Sequence, residues 1–246
     1  MKISIITVSY NSEETIVDTI ESVLQQSHPN IEYIIIDGGS SDSTLDVIKK
    51  YEPLFKGRMR WVSEKDNGQY DAINKGINMA SGDIIGILNA DDFFIDKYVI
   101  EDIVKIVKKA KADAVYADLV YVNKVDVNKL VRTFVTKKLR FRSGWTPPHP
   151  TVYVRRGIYD RLGIYNTEYK IAADYDMLYR LFEESDITSA YLNRVIIKMR
   201  LRGISTRNFK NIIKSYKESY HILKSHGEKY AFILVLRRLF IRLFCN

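Results

Sequence analysis

Cysteine is almost absent. The only one in 246 residues is Cys245, next to the end, so no disulfide framework holds this fold. With 4 histidines and that single thiol, a Cys/His zinc cluster is excluded too. So little cysteine suits a reducing cytoplasm. No stretch reaches the roughly 20 apolar residues needed to span a bilayer. The nearest candidate, Tyr230 to Leu236, is interrupted by Arg237 and Arg238. The start, Met1-Lys2-Ile3-Ser4-Ile5-Ile6, lacks a small-residue cleavage site and does not read as a signal peptide. Neither a Walker-type loop nor Gly-x-Gly-x-x-Gly follows the first strand, which excludes P-loop and Rossmann-type ligand binding. There is no internal repeat and no flexible linker.

What is present is ordinary globular composition, 46% hydrophobic and 28% charged. The formal charge of +8 is unevenly placed. Residues 194–246 hold 13 basic and 2 acidic side chains, a net of +11, and residues 1–193 carry a net of −3. A nearly neutral body lacks the basic face that nucleic acid requires. The basicity belongs to the C-terminal segment.

The first 95 residues alternate between two periods. Continuous apolar runs at 3–9, 31–36, 59–62 and 83–88 suit buried parallel strands. Between them lie helical patterns: Ser12, with Glu13-Glu14-Thr15, opens one to about Gln26, and others cover 44–51 and 71–80. This alternation calls for a parallel sheet with right-handed crossovers. Beyond it, a helix near 97–109 leads to strands at 114–122 and 130–134, joined by a polar link that suggests a hairpin and a mixed sheet. A rigid loop at 144–150, a strand at 151–155, a helix at 174–184 and a strand at 190–200 follow. Residues 208–244 read as helical.

In an open α/β sheet, ligands gather beyond the carboxyl ends of the strands. Polar residues stack there after four successive strands: Thr7, Ser9, Tyr10 and Asn11; Asp37 and Ser40; Glu64, Asp66 and Gly68; Asn89, Asp91 and Asp92. Four enriched ends together point to one shared site. Asp91 and Asp92 are hard oxygen ligands suited to Mg²⁺ or Mn²⁺ on a diphosphate, or else caps of the helix starting near Asp96.

These residues form a pattern that resembles glycosyltransferase family 2. The ordered runs are Ile5-Ile6-Thr7-Val8-Ser9-Tyr10-Asn11, Ile35-Ile36-Asp37-Gly38-Gly39-Ser40-Ser41-Asp42-Ser43-Thr44, and Glu64-Lys65-Asp66-Asn67-Gly68-Gln69-Tyr70-Asp71-Ala72-Ile73-Asn74-Lys75-Gly76. Ile87-Leu88-Asn89-Ala90-Asp91-Asp92, Pro148-His149-Pro150-Thr151-Val152-Tyr153 and Ala172-Ala173-Asp174-Tyr175-Asp176-Met177-Leu178 complete the set. The resemblance runs from residue 3 to about 206. It implies the GT-A fold, an α/β architecture with a Rossmann-like, mostly parallel mixed sheet flanked by helices, here followed by a helical C-terminal tail. It divides the chain into a catalytic domain at 1–206, with a nucleotide-binding half at 1–95 and an acceptor half at 96–206, and a tail at 207–246.

The activity implied is inverting transfer of one sugar from a nucleotide diphosphate donor, a UDP-sugar by preference, to an acceptor hydroxyl. The acceptor is a saccharide or a lipid-linked saccharide, as in bacterial surface polysaccharide or glycolipid assembly. Thr7, Ser9 and Asn11 would line the nucleotide pocket, with Asn89 and Ala90 nearby. Asp37 would recognise the base, and Asp71 would face the nucleotide. Asp91 would bind Mg²⁺ or Mn²⁺; the family's preceding acid is Asn89 here, so the charge rests on Asp91, with Asp92 helping indirectly. Asp174 would be the general base, although the family's preceding Glu is Ala173. Asp176 is the rival base, and helical side chains two apart diverge by about 200°, so only one of the pair faces the site. Asp174 also suits a helix cap, and the two roles can coexist. His149, Arg202, Asp92 and Asp176 are candidate diphosphate or acceptor contacts, with loop packing and plain solvation as the ordinary roles of His149 and Arg202. The family's processive synthases carry Gln-x-x-Arg-Trp and transmembrane helices; neither is found, which favours single-sugar transfer.

Two other readings stay open. A sugar nucleotidyltransferase would need a Gly- and Arg/Lys-rich first loop, which residues 9–13 lack. A degenerate nucleotide-sugar-binding protein has Asn89 and Ala173 as its only support. In the tail, a helix over 230–244 would put Arg238 and Arg242 on one side, amid aromatic and aliphatic residues. That composition fits a helix on an anionic membrane surface, placing the protein in the cytoplasm at the inner face of the membrane, or else a helix packed on the body or a second subunit.

Overall fold

The computed structural model describes residues 1–136, 141, 144, 146–201 and 209–244. Its strands are β1 (Ile3–Ser9), β2 (Ile31–Asp37), β3 (Met59–Ser63), β4 (Ile84–Ile87), β5 (Asp92–Phe94), β6 (Ala114–Val122), β7 (Leu130–Phe134), β8 (Tyr153–Arg155) and β9 (Ser189–Arg200). Its α-helices are α1 (Ile16–Leu24), α2 (Thr44–Tyr51), α3 (Gln69–Met79), α4 (Val99–Ala110), α5 (Arg156–Leu162), α6 (Ala173–Tyr179), α7 (Phe209–Ser225) and α8 (Ala231–Phe244). The strands join one mixed sheet in the order β3-β2-β1-β4-β8-β6-β9-β5, with β7 paired to β6. β1 to β4 run parallel, so their carboxyl ends share one edge. Beyond β4 the sheet is mixed: β8 is antiparallel to both neighbours, and β6 and β9 are parallel.

Alternation along the strands builds the two cores. Ile3, Ile5, Tyr33 and Ile35 face one side, with Ile16, Ile20 and the apolar stripe of α4: Val99, Ile100, Ile103, Val104 and Val107. Ile6, Ile34 and Ile36 face the other, with residues of α3, α6, α7 and α8. Each fully buried aliphatic side chain contributes about 1.5–3 kcal/mol. α3 lies directly on β1 because of Gly76, where a Cβ would sit 2.4 Å from Ile6 Cγ2. α7 and α8 supply Ile222, Leu223, Ala231 and Leu234 to the same core as Tyr175 and Leu178. No helix among the described residues is long and apolar enough to cross a membrane.

The expected β6–β7 hairpin is present as an antiparallel pair. Four details differ from expectation. The first helix starts at Ile16, not Ser12, and has no side-chain cap. The backbone amides of Ser12 and Glu13 are drawn sideways to Thr44 Oγ1 (2.8 Å) and Asp42 Oδ2 (3.1 Å) in the neighbouring loop. Asp92 opens a short strand, β5, whose partner β9 lies about a hundred residues away and leaves no local signal. α5 was not expected. The helical C-terminus is two helices, broken where Gly227 takes φ +75° and Gly227 N–H and Glu228 N–H bond back to Lys224 O and Leu223 O.

Candidate active site

The loops after β1 and β2 are laced together. Asp37 is fully buried, and its carboxylate accepts five hydrogen bonds: from Ser9 Oγ (3.0 Å), Gly39 N (3.1 Å), Ser40 N (2.9 Å), Ser40 Oγ (2.5 Å) and Ser63 Oγ (2.7 Å). It therefore positions three loops rather than reading a base, a correction to its expected role. Thr7 is corrected likewise. It is fully buried on the α1 side of β1, where its hydroxyl accepts from Tyr33 OH at 3.1 Å. Ser9 is spent on Asp37. Asn11, at φ +48°, ties the loops by accepting from Ser41 N at 2.9 Å, and its own N–H donates to Ser40 Oγ at 2.8 Å. Above this brace two of the strand-end residues, Tyr10 and Asp66, converge in a way the sequence did not show. A Cβ on Gly38 would touch Asp66 Oδ2 at 2.6 Å and the Tyr10 ring at 3.4 Å, so an exposed aromatic face and a carboxylate converge over a bare backbone. That shape suits a flat base. Asp71, in the first turn of α3, reaches back to accept from Asn67 N at 3.0 Å, with Lys75 3.7 Å away.

Past β4, Asn89 Nδ2 donates to Asp92 Oδ2 at 2.8 Å. That bond leaves the Asn89 side-chain Oδ1 without a protein partner among the described residues, while its backbone carbonyl accepts from Asp92 N at 3.0 Å. Asp92 is fully buried, so it is not a ligand contact; burial, and then the charge of Asp91, push its carboxyl well above the usual range. Ala90 is also buried, its carbonyl held by Thr15 Oγ1 at 2.9 Å. Asp91 is half-buried. Desolvation raises its carboxyl, and the charges of Arg200 and Lys124 oppose the rise. Arg200 on β9 holds this turn from beneath: it donates to Asp91 O at 2.7 Å, pairs with Asp18, and lies 5.1 Å from the Phe93 ring. Sequence gave no hint of it. No cluster of three His, Cys, Asp or Glu residues exists among the described residues. A cation here would have the Asn89 oxygen and the Asp91 carboxylate, a sparse set that suits Mg²⁺ or Mn²⁺ sharing a substrate's phosphates. A desolvated carboxylate that burial penalises fits such an ion.

A cavity of about 260 Å³ brings together Asn89, His149 and Asp174, with Tyr70, Arg132 and Arg238 also in its wall. Asp174 stands at the start of α6. Its Oδ1 accepts from Tyr175 N (2.8 Å) and Tyr70 OH (3.3 Å), and Oδ2 has no partner among the described residues. The single Tyr70 O–H is shared: its shorter branch runs to Ile171 O at 2.8 Å and fixes the loop before α6, and the contact with Asp174 is the longer branch. His149 Nε2 and Tyr165 OH share a 2.6 Å hydrogen bond. Burial lowers the His149 imidazole below its usual value, against the pull of Asp174, so it is neutral near pH 7. Asp176 points away, as helical geometry requires. It is buried, bound by Arg180 Nε at 2.9 Å and close to His226 Nε2 at 2.9 Å, while Arg180 also donates to the carbonyls of Leu162, Gly163 and Ile164. Asp176 is thus an interior brace, correcting its candidacy as base or ligand contact. Arg202 lies outside the described residues.

The tail faces this cavity. Ala231 and Leu234 are buried, and Arg238, one turn on, stacks 4.1 Å over the Tyr175 ring and donates to Ser219 Oγ at 2.7 Å. The expected basic membrane side of this helix is therefore, at Arg238, its inward side. Phe232, Leu236 and Phe240 are exposed instead, spaced four apart along one stripe.

Comparison with known proteins agrees with the fold. A family model described as Glycosyl transferase family 2 matches residues 4–163. A relative from Mycobacterium bovis (strain BCG / Pasteur 1173P2), named "PGL/p-HBAD biosynthesis glycosyltransferase", is 27% identical over 194 residues, 78% of this chain and 74% of its own length. Bacillus subtilis (strain 168) TuaG, named a putative teichuronic acid biosynthesis glycosyltransferase, is 40% identical over 90 residues, 37% of this chain and 36% of its own. Among solved structures, S. aureus TarS 1-349 in complex with UDP-GlcNAc superposes with a TM-score of 0.78 at 19% identity, covering 98% of this chain and 73% of that one. That likeness carries the fold.

Proposed function

The chain belongs to glycosyl transferase family 2, and from that premise we propose that it moves a single sugar from UDP, with inversion, onto a saccharide or lipid-linked acceptor in surface polysaccharide or glycolipid assembly. The observation that carries this reading is the convergence of Asn89, His149 and Asp174 on one cavity at the edge where β1 and β4 end. The uracil would lie on Tyr10 beside Asp66, over the Gly38 backbone. The free Oδ2 of Asp174 would take the acceptor's proton as its oxygen attacks the anomeric carbon, a contribution of about 10²–10⁴-fold. Tyr70 holds that carboxylate in place, and neutral His149 offers a hydrogen bond without competing for the proton. Asn89 and Asp91 would hold Mg²⁺ or Mn²⁺, and a bound ion stabilises charge on the departing diphosphate. A donor half at 1–95, an acceptor half at 96–206 and a tail at 207–246 would divide the work along the chain. The exposed Phe232–Leu236–Phe240 stripe, flanked by Lys229 and Arg237, would rest on an anionic membrane surface at the cytoplasmic side.

The test is a donor panel of UDP-, GDP- and dTDP-sugars, read by thermal shift and by nucleotide release, with Mg²⁺, Mn²⁺ or EDTA. UDP should raise the melting temperature, and UDP release from one sugar should require the metal. Stabilisation by a different nucleotide would replace uracil in this reading, and binding with no turnover of any donor would mark a non-catalytic binder. Proton NMR of the product settles inversion: a donor with an α-linked sugar should give the β anomer. Flotation with phosphatidylglycerol vesicles tests the stripe, and a Phe232→Ser/Phe240→Ser variant should stay at the bottom of the gradient.

A further inference from the structure

The wall of the cavity around Asp174 has a charge balance that sugar transfer alone does not require. Two guanidiniums enter it from elements far apart in sequence, Arg132 on β7 and Arg238 on α8, and Asp174 is its only carboxylate among the described residues. His149 adds no charge, since burial holds it neutral. Arg132 lies 5.1 Å from the Tyr121 ring, and its Nε is buried without a hydrogen-bond partner. Arg238 is stacked on Tyr175 and bonded to Ser219, so its position in the cavity wall is fixed. The remaining wall mixes apolar side chains, including Leu119, Leu178 and Met199, with neutral polar ones such as Gln69, Thr146 and Ser215. Both arginines are half-buried and line the cavity, and a guanidinium matches an oxyanion by paired N–H donors.

We propose that Arg132 and Arg238 form an oxyanion subsite on the acceptor side of the cavity, so that the acceptor carries a phosphate or carboxylate near the hydroxyl that is glycosylated. The proposal rests on reading Asp174 as the base that meets the acceptor. It also gives the tail a second role. α8 offers an apolar stripe outward and an acceptor-binding arginine inward, so removing the helix removes part of the site.

The experiment uses the full chain saturated with UDP and Mg²⁺, titrated calorimetrically with glucose 1-phosphate, glucuronic acid or uncharged methyl glucoside. One anionic probe should bind with UDP still in place, and methyl glucoside should not. Binding of glucose 1-phosphate identifies a phosphate-bearing acceptor, and binding of glucuronic acid a uronic acid. Arg238→Gln and Arg132→Gln should each weaken the anionic probe roughly ten- to hundredfold with UDP affinity unchanged. Displacement of UDP by the probe would assign the guanidiniums to the donor's diphosphate and overturn the proposal. Equal binding of the neutral sugar, binding of neither anion, or unchanged affinity in both variants would overturn it as well. Should Arg238→Gln unfold the tail, seen as loss of UDP affinity and of the melting transition, Arg132→Gln carries the test. Failure to bind UDP at all counts against the glycosyltransferase reading, and is thereby told apart from failure of the anion subsite.

Discussion

The two ends of the site are braced in different ways. At the donor end, Asp37 gathers Ser9, Ser40 and Ser63, all within 28 residues of it, and Asn11 joins the same two loops again. At the acceptor end, Asp174 is held by Tyr70, 104 residues earlier, and the loop before it by Glu218, which accepts from Lys170 N, Ile171 N and Ala172 N at 3.2, 2.8 and 2.9 Å. The donor end is thus assembled by loops of adjacent parallel strands. The acceptor end is assembled only when α3, α6 and α7 come together. A scaffold of the first kind can keep nucleotide binding constant, while the second allows the acceptor side to vary.

The largest expected effect separates chemistry from both scaffolds. Asp174→Asn should lower transfer by roughly 10²–10⁴-fold with UDP affinity and melting temperature unchanged, measured by steady-state kinetics and calorimetry. Unchanged turnover would remove Asp174 as the base. Next comes Asp37→Ala, which removes the shared acceptor of five hydrogen bonds, leaves the buried Ser9 hydroxyl unpaired and should cost about 2–4 kcal/mol in urea unfolding, with UDP binding lost. Retained UDP affinity would show that the donor loops hold without their brace.

Glu32 is a control at the opposite edge of the same parallel strands. Burial raises its carboxyl, but hydrogen bonds from Ser4, Ser81 and Lys2 outweigh that and hold it at about 2, below its ordinary 4.5. A lowered folded value stabilises the protein above the unfolded value and is lost as pH falls from about 4.5 through about 2. Glu32→Gln should remove roughly 3 kcal/mol at neutral pH and flatten the acid limb of the stability curve, without altering turnover at neutral pH. The smallest effect belongs to Glu218→Gln. It should reduce kcat roughly tenfold, leaving UDP affinity intact, because only the loop that aims Asp174 is loosened. An equal loss in UDP affinity would mean the two ends are not separately braced.

Much of the donor half was legible before any coordinates. Its strands are continuous apolar runs, and each ends in a polar cluster that names the edge where a ligand sits. The errors there are informative. Thr7 and Asp37 have the right residue types at the right edge, but strand alternation turns Thr7 inward and the serines around Asp37 consume both its oxygens. Asp174 against Asp176 was decided by helical period, which put one in the cavity and the other on Arg180. Arg200 and Tyr165 carried no signal, because their partners, Asp91 and Asp18 for the first and Asn74 and His149 for the second, lie on elements that meet only in the folded chain.

Hydrophobic period and strand-end chemistry are local properties, so the sequence by itself determined the α/β class, the parallel first half and the carboxylates from which a catalytic group could come. Which carboxylate is open, which is spent as a brace, and which way the basic tail turns depend on contacts between distant segments. Only the packed structure decided that Asp91 and Asp174 remain available while Asp37, Asp92 and Asp176 are enclosed. The same packing turned Arg238, half of an apparent membrane-facing pair, toward the site.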